Sequence, residues 1–130
     1  MLGGFFSGKY LPNVPVTSGR FNQESWSVVR STSAYVRQGK MYQARYFKDH
    51  YFKAIEIIRP VAEKHGLTLL EVALRWMIHH SQLDFPKGDG VIIGCSSVEQ
   101  LESNLTDFGK GPLPEEVVAA LDVSRLLSDL

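Results

Sequence analysis

One short run constrains the fold of this chain more than any other. Val91, Ile92 and Ile93, set between Gly90 and Gly94, read as a strand buried on both faces. It is the one firm strand pattern in the 130 residues. A buried strand needs neighbours on both sides, because its backbone N–H and C=O groups must be paired. The chain therefore reads as a portion of an α/β domain, with most of the strands of its sheet lying elsewhere.

The other clear patterns are helical. Phe52, Ile55, Ile58 and Ala62 fall on one face at i, i+3, i+4 spacing, and Gly66 is a left-handed stop. Thr68 and Glu71 have the spacing of a capping box, opening a second helix with Leu70, Leu74, Met77 and Ile78 as its buried stripe. Ser97 and Gln100 repeat the capping pattern ahead of a third helix marked by Val98, Leu101 and Leu105. A fourth follows Pro114, with Glu115 and Glu116 complementing its positive start.

The front of the chain is less regular. Residues 11–19 contain two prolines and read as loop. Residues 22–40 are rich in Ser, Gln and Arg and are also expected to be loop, with a short strand pattern only at Val28 and Val29.

Charge and composition exclude several classes. Fourteen basic residues balance fourteen acidic ones, so bulk charge does not point to nucleic acid, and no polybasic run points to a membrane surface. No apolar run approaches the roughly 18 residues of a membrane span, and no secretory leader pattern is present. A single cysteine, Cys95, excludes an internal disulfide framework and fits a reducing compartment, so a soluble cytoplasmic protein is expected. Cys95 is expected to fill space.

Two segments have the chemistry of anion sites. "GGFFSGKY", residues 3–10, is one letter short of a G-x-x-x-x-G-K-[ST] phosphate loop. Tyr10 replaces the magnesium-binding hydroxyl, and Pro12 and Pro15 block the helix that must follow. A triphosphatase is thereby excluded. Either a backbone cradle for an anion, with Ser7 and Lys9 beside it, or a plain turn remains. "IIGCSSVEQLESNL", residues 92–105, places free N–H groups at a helix start after a strand, with Ser96, Ser97, Gln100 and Asn104 nearby. Gln100 and Asn104 are four apart and share a face, so the segment could hold a phosphate and an adenine edge; a simple capped helix is the alternative.

His79 and His80 are adjacent and face different ways, which favours structural roles over metal ligation; no metal set is expected. Tyr42, Arg45, Tyr46 and Phe47 form either a helix-start cluster or the edge of a pocket for an anionic or carbonyl group.

In this order, "GGFFSGKY", "GRF" at 19–21, "MYQARYF" at 41–47, "LRWMIHHSQL" at 74–83 and "GVIIGCSSVEQLESNL" at 90–105 resemble the aldo-keto reductases. The likeness is greatest to the aflatoxin-aldehyde and succinic-semialdehyde reductase subfamily. It implies the C-terminal third of a (β/α)8 barrel, whose complete form has ~250 residues and an active site at the C-terminal face. The expected content is about one strand, four helices and a long loop, with residues 1–130 as one partial domain and 22–40 as an insertion.

The resemblance also implies an NADP(H) site. Gly3, Gly4, Phe5, Phe6, Ser7, Gly8 and Lys9 match the loop along the pyrophosphate and ribose, and Arg20 matches a cofactor-contacting arginine. Ser96, Ser97, Glu99, Gln100 and Asn104 match the segment around the adenosine 2′-phosphate, although residues 94–104 contain no Lys or Arg. Tyr42 and Arg45 match positions facing an aldehyde or ketone substrate. The family's catalytic Asp, Tyr, Lys and His have no counterparts here, so no residue is expected to be catalytic. An incomplete barrel is also expected to self-associate through its exposed edges.

Overall fold

The computed structural model describes residues 2–17, 19, 21–22 and 34–128. A 3-10 helix, Leu2–Ser7, opens the chain. Five α-helices follow: α1 (Ala34–Tyr46), α2 (Asp49–Lys64), α3 (Leu69–His79), α4 (Val98–Phe108) and α5 (Glu115–Ser128). A single 3-10 turn, Phe85–Lys87, lies between α3 and α4.

Helix α2 is the central element, and its most extensive packing is against α5. Ile55, Ile58 and Ala62 are buried at the expected spacing, and they meet Leu69 and Val72 of α3 and Val117 of α5. Ile58 and Val72 are each essentially inaccessible, and full burial of such side chains contributes about 1.5–3 kcal/mol apiece. The α2 stop has the expected left-handed glycine, with Gly66 at φ 67°. Leu67 N–H donates to Ala62 O and Gly66 N–H to Glu63 O, both at 2.9 Å, which ties off the last free carbonyls of the helix.

Helix α3 starts as its sequence indicates, with Thr68 Oγ1 accepting from Glu71 N–H at 3.0 Å. The Glu71 carboxylate does not complete a capping box. Its Oε1 instead takes Arg75 Nη1 at 2.8 Å and Lys110 Nζ at 3.0 Å. Of the expected α3 stripe only Leu74 is fully buried; the helix is turned so that Leu69 and Val72 enter the common core.

Three expectations are corrected. Among the described residues there is no strand: Val91–Ile93 pairs with nothing, and Ile92 is wholly exposed. A strand is defined by its ladder, and no second strand is present to supply one. Residues 34–40, expected as loop, form the first turns of α1, making five α-helices among the described residues rather than four; Val28 and Val29 lie outside the described residues. Helix α4 is reversed with respect to its apolar pattern. Asn104 and Asp107 are buried, whereas Val98, Leu101 and Leu105 face solvent. On the inner side, Asp107 Oδ1 accepts from Lys110 Nζ at 2.9 Å, and the same Nζ lies 3.0 Å from Glu71 Oε1 of α3. The charged face of α3 thus holds the polar face of α4.

The same polar face fixes the link from α4 to α5. Arg75 donates through Nε to Gly111 O at 2.7 Å and through Nη2 to Pro112 O at 2.6 Å. His79 Nε2 donates to Lys110 O at 2.7 Å, and His80 Nε2 accepts from Leu113 N–H at 3.0 Å. The two histidines thus tie the end of α3 to the segment leading into α5, and no metal-binding cluster occurs among the described residues. No helix of the described residues is long and apolar enough to cross a membrane.

Candidate functional site

The glycine-rich segment is built on an aromatic cluster. Phe5, in the 3-10 helix, is buried and lies 5.1 Å from Phe52, 5.9 Å from Phe47 and 6.3 Å from Phe21, measured between ring centres. The Phe21 ring centre lies 4.6 Å from that of Tyr10 and 5.6 Å from that of Tyr42 of α1. Burial raises the pKa of the Tyr10 hydroxyl, so it remains a neutral phenol at physiological pH. Gln43 Nε2 donates to Phe21 O at 2.7 Å, binding α1 to this knot.

With Phe5 anchored inward, the neighbouring positions face out. Gly4, Ser7 and Lys9 are exposed, and Phe6 and Gly8 are partly exposed. Gly4 has φ 100° and Gly8 φ 69°, both in the region that favours glycine. Gly3 lies within the 3-10 helix. Lys9 also borders a cavity of about 230 Å³, walled by Tyr10, Leu11, Val14, Pro15, Val16 and Thr17, with Gly19 at its edge. This arrangement fits an anion: exposed backbone turns, one hydroxyl and one ammonium group.

The second segment is an ordered helix start. Ser97 Oγ accepts from Gln100 N–H at 3.3 Å. Gln100 Oε1 reaches back to Ser96, accepting from its N–H at 3.0 Å and from its hydroxyl at 3.1 Å. The reciprocal arm of the capping box therefore lands one residue earlier than the spacing indicated. The Ser97 hydroxyl also holds the Glu99 carboxyl below its usual range, so a negative charge already sits in the first turn of α4. Ser96, Ser97, Glu99 and Gln100 are exposed, whereas Asn104 faces inward.

The structure places the expected residues in separate groups. The cavity wall includes Lys9 but neither Tyr42, Arg45 nor any residue of 96–104. Helix α3 contacts both the N-terminal 3-10 helix and α4, and so connects the two candidate anion segments. Tyr42 is half-buried in the aromatic cluster; Arg45 is exposed, its Cζ 6.0 Å from the Tyr46 ring centre. Arg20 lies outside the described residues. Cys95, expected to fill space, is exposed. Arg59, which belongs to none of the motifs, donates through Nη2 to Gly8 O at 3.1 Å. No short-range pattern marks that contact, because the partners are 51 positions apart.

The sequence model of the Aldo/keto reductase family matches residues 1–125. This chain belongs to the aldo-keto reductase family. The family's fold is a (β/α)8 barrel, of which the described residues here contribute helices. An aldo-keto reductase of Pseudocercospora fijiensis is 53% identical over 81 residues, covering 62% of this chain and 27% of that protein. Aflatoxin B1 aldehyde reductase member 2 of Rattus norvegicus is 37% identical over 129 residues, covering 94% of this chain and 32% of the relative. Aldo-keto reductase family 7 member A3 of Homo sapiens is 36% identical, with 94% and 35% coverage. The chain thus spans about a third of the length of these relatives.

Proposed function

We propose that this chain is the C-terminal part of an NADPH-dependent aldehyde or ketone reductase, with cofactor and substrate contacts but no catalytic tetrad. The match of the family model over residues 1–125 carries this reading. Gly3–Lys9 would lie along the dinucleotide pyrophosphate and ribose, with Arg20 as a further cation. Its exposed Ser7 and Lys9 and its left-handed glycines support that role. Ser96, Ser97, Glu99 and Gln100 would lie near the adenosine 2′-phosphate, with Asn104, buried on the inner face of α4, behind them. Residues 94–104 contain no Lys or Arg, so selection of the 2′-phosphate would rest on Arg20 and hydrogen bonds, against the negative charge of Glu99. Tyr42 and Arg45 would border the substrate.

When bound, the nicotinamide supplies the hydride. On this reading the residues of this chain orient the phosphates and the substrate, and the proton for the carbonyl oxygen comes from a tetrad elsewhere in the barrel. The expected result is NADPH binding, detected by fluorescence titration, with no loss of NADPH absorbance when nitrobenzaldehyde is added. Enzyme-like turnover would overturn the claim of inactivity, and failure to bind NADPH would overturn the cofactor assignment.

A second reading is favoured by one observation, the solvent-facing apolar row of α4 together with Ile92. On that reading the chain is a non-catalytic module that completes a partner's barrel. Its signature is a stable complex with a protein carrying the remaining barrel strands, formed with or without nucleotide.

A further inference from the structure

Arg59 reaches from α2 to the glycine-rich loop, and the two fit closely. Gly8 O, just past the end of the 3-10 helix, accepts a hydrogen bond from Arg59 Nη2 at 3.1 Å. Gly8 N–H donates to Phe5 O at 3.2 Å, and Phe5 is buried in the aromatic cluster. Both faces of this residue's backbone are therefore held, one by the 3-10 helix and one by α2. A Cβ at Gly8 would lie 2.9 Å from Arg59 Nη2, 3.2 Å from Nη1 and 2.9 Å from Leu69 Cδ1. The loop passes between a guanidinium and a buried leucine, and any side chain at Gly8 would have to displace one of them as well as adopt a left-handed backbone.

Arg59 is also half-buried, and among the described residues no carboxylate lies within ion-pair distance of it. A partly desolvated cation with one carbonyl partner favours the approach of an anion. Lys9, the next residue after Gly8, is exposed and also without a carboxylate partner among the described residues.

We infer that Arg59 is a positioning residue for an anion-binding loop, fixing Gly8 so that Ser7 and Lys9 present to a dinucleotide phosphate. This rests on the cofactor reading given above and names the residue outside the loop that sets its shape. A lysine keeps the charge but lacks the planar fork that holds the carbonyl, so the two functions are separable.

The test compares the full chain with Arg59→Met and Arg59→Lys, by hydrogen exchange at the amides of residues 4–9 and by NADPH titration. The expected result is faster exchange in that segment for both variants, with exchange in α2 and α5 unchanged. NADPH affinity should fall about tenfold in Arg59→Met, and by less in Arg59→Lys, where the charge remains. Exchange at residues 4–9 unchanged in both variants overturns the positioning role. Equal affinity of Arg59→Met and the parent chain overturns the link to the phosphate. If Arg59→Met fails to fold, Arg59→Lys decides by the same two measurements. If the parent chain binds no NADPH, the proposed function fails, and the exchange comparison still decides whether Arg59 shapes the loop.

Discussion

His80 shows how one side chain can set a pH limit on this fold. Its Nε2 accepts from Leu113 N–H, which requires the neutral ring. Partial burial, and then the nearby His79 and Arg75 charges, lower its pKa below the ordinary 6.5. Glu71 and Asp107 do not offset this, since both are engaged by Arg75 and Lys110. The unfolded chain thus binds the proton more readily than the folded one. The stabilisation is complete above pH 6.5 and is lost as the pH falls through the lower folded value. Thermal melting from pH 7.5 to pH 5 should show a decline in Tm that His80→Gln reduces, because an amide oxygen still accepts from Leu113 but does not titrate. Parallel slopes for the two proteins would refute this. Glu116 adds a second, more acidic limit. Its hydrogen bonds to Lys64 and His65 hold its carboxyl below the ordinary 4.5, so that contribution disappears only as the pH falls below this value.

At the level of elements, two glycines with similar backbone angles should respond differently to substitution. Gly66 has φ 67° and open space around its missing side chain, so Gly66→Ala carries only left-handed strain, about 1–2 kcal/mol. Gly8 has φ 69° and is flanked by Arg59 and Leu69, so Gly8→Ala adds a steric clash and should cost more. Urea midpoints with unchanged m-values would measure the difference, and equal costs would show that the loop yields without resistance. Which of these features could be read from sequence follows from the range of the forces. The end of α2 and the N-caps of α3 and α4 were legible because capping is settled within four residues. Helix α1 was not. Gly39 sits inside it, at a cost of about 1 kcal/mol relative to alanine, and its composition is polar. What stabilises α1 is distant: Tyr42 and Tyr46 pack on Phe21, and Gln43 donates to Phe21 O. The glycine-rich loop was found from its residue types, but its grip by Arg59 was hidden by 51 intervening positions.

For the molecule as a whole, the reversal of α4 has the largest consequence. An amphipathic helix ordinarily turns its apolar stripe inward. Here the Glu71–Arg75–Lys110–Asp107 network draws the polar face toward α3, leaving Val98, Leu101 and Leu105 outside at i, i+3 and i+7. Ile92, fully exposed, adds to the same apolar surface content a few residues upstream. Each large apolar side chain left in water forgoes about 1.5–3 kcal/mol of burial, so association that covers the stripe is favoured over the isolated chain. Sedimentation velocity should therefore show concentration-dependent association, and Val98→Glu combined with Leu105→Glu should shift the protein toward the monomer. The same double substitution leaves Asn104, Asp107 and the α3 contacts untouched, so helical content by circular dichroism should be preserved. A parent chain that remains monomeric at every concentration would show that the exposed stripe does not drive assembly. Association that persists undiminished in the double variant would place the contact elsewhere, with the exposed Leu11, Val14 and Val123 the next residues to substitute.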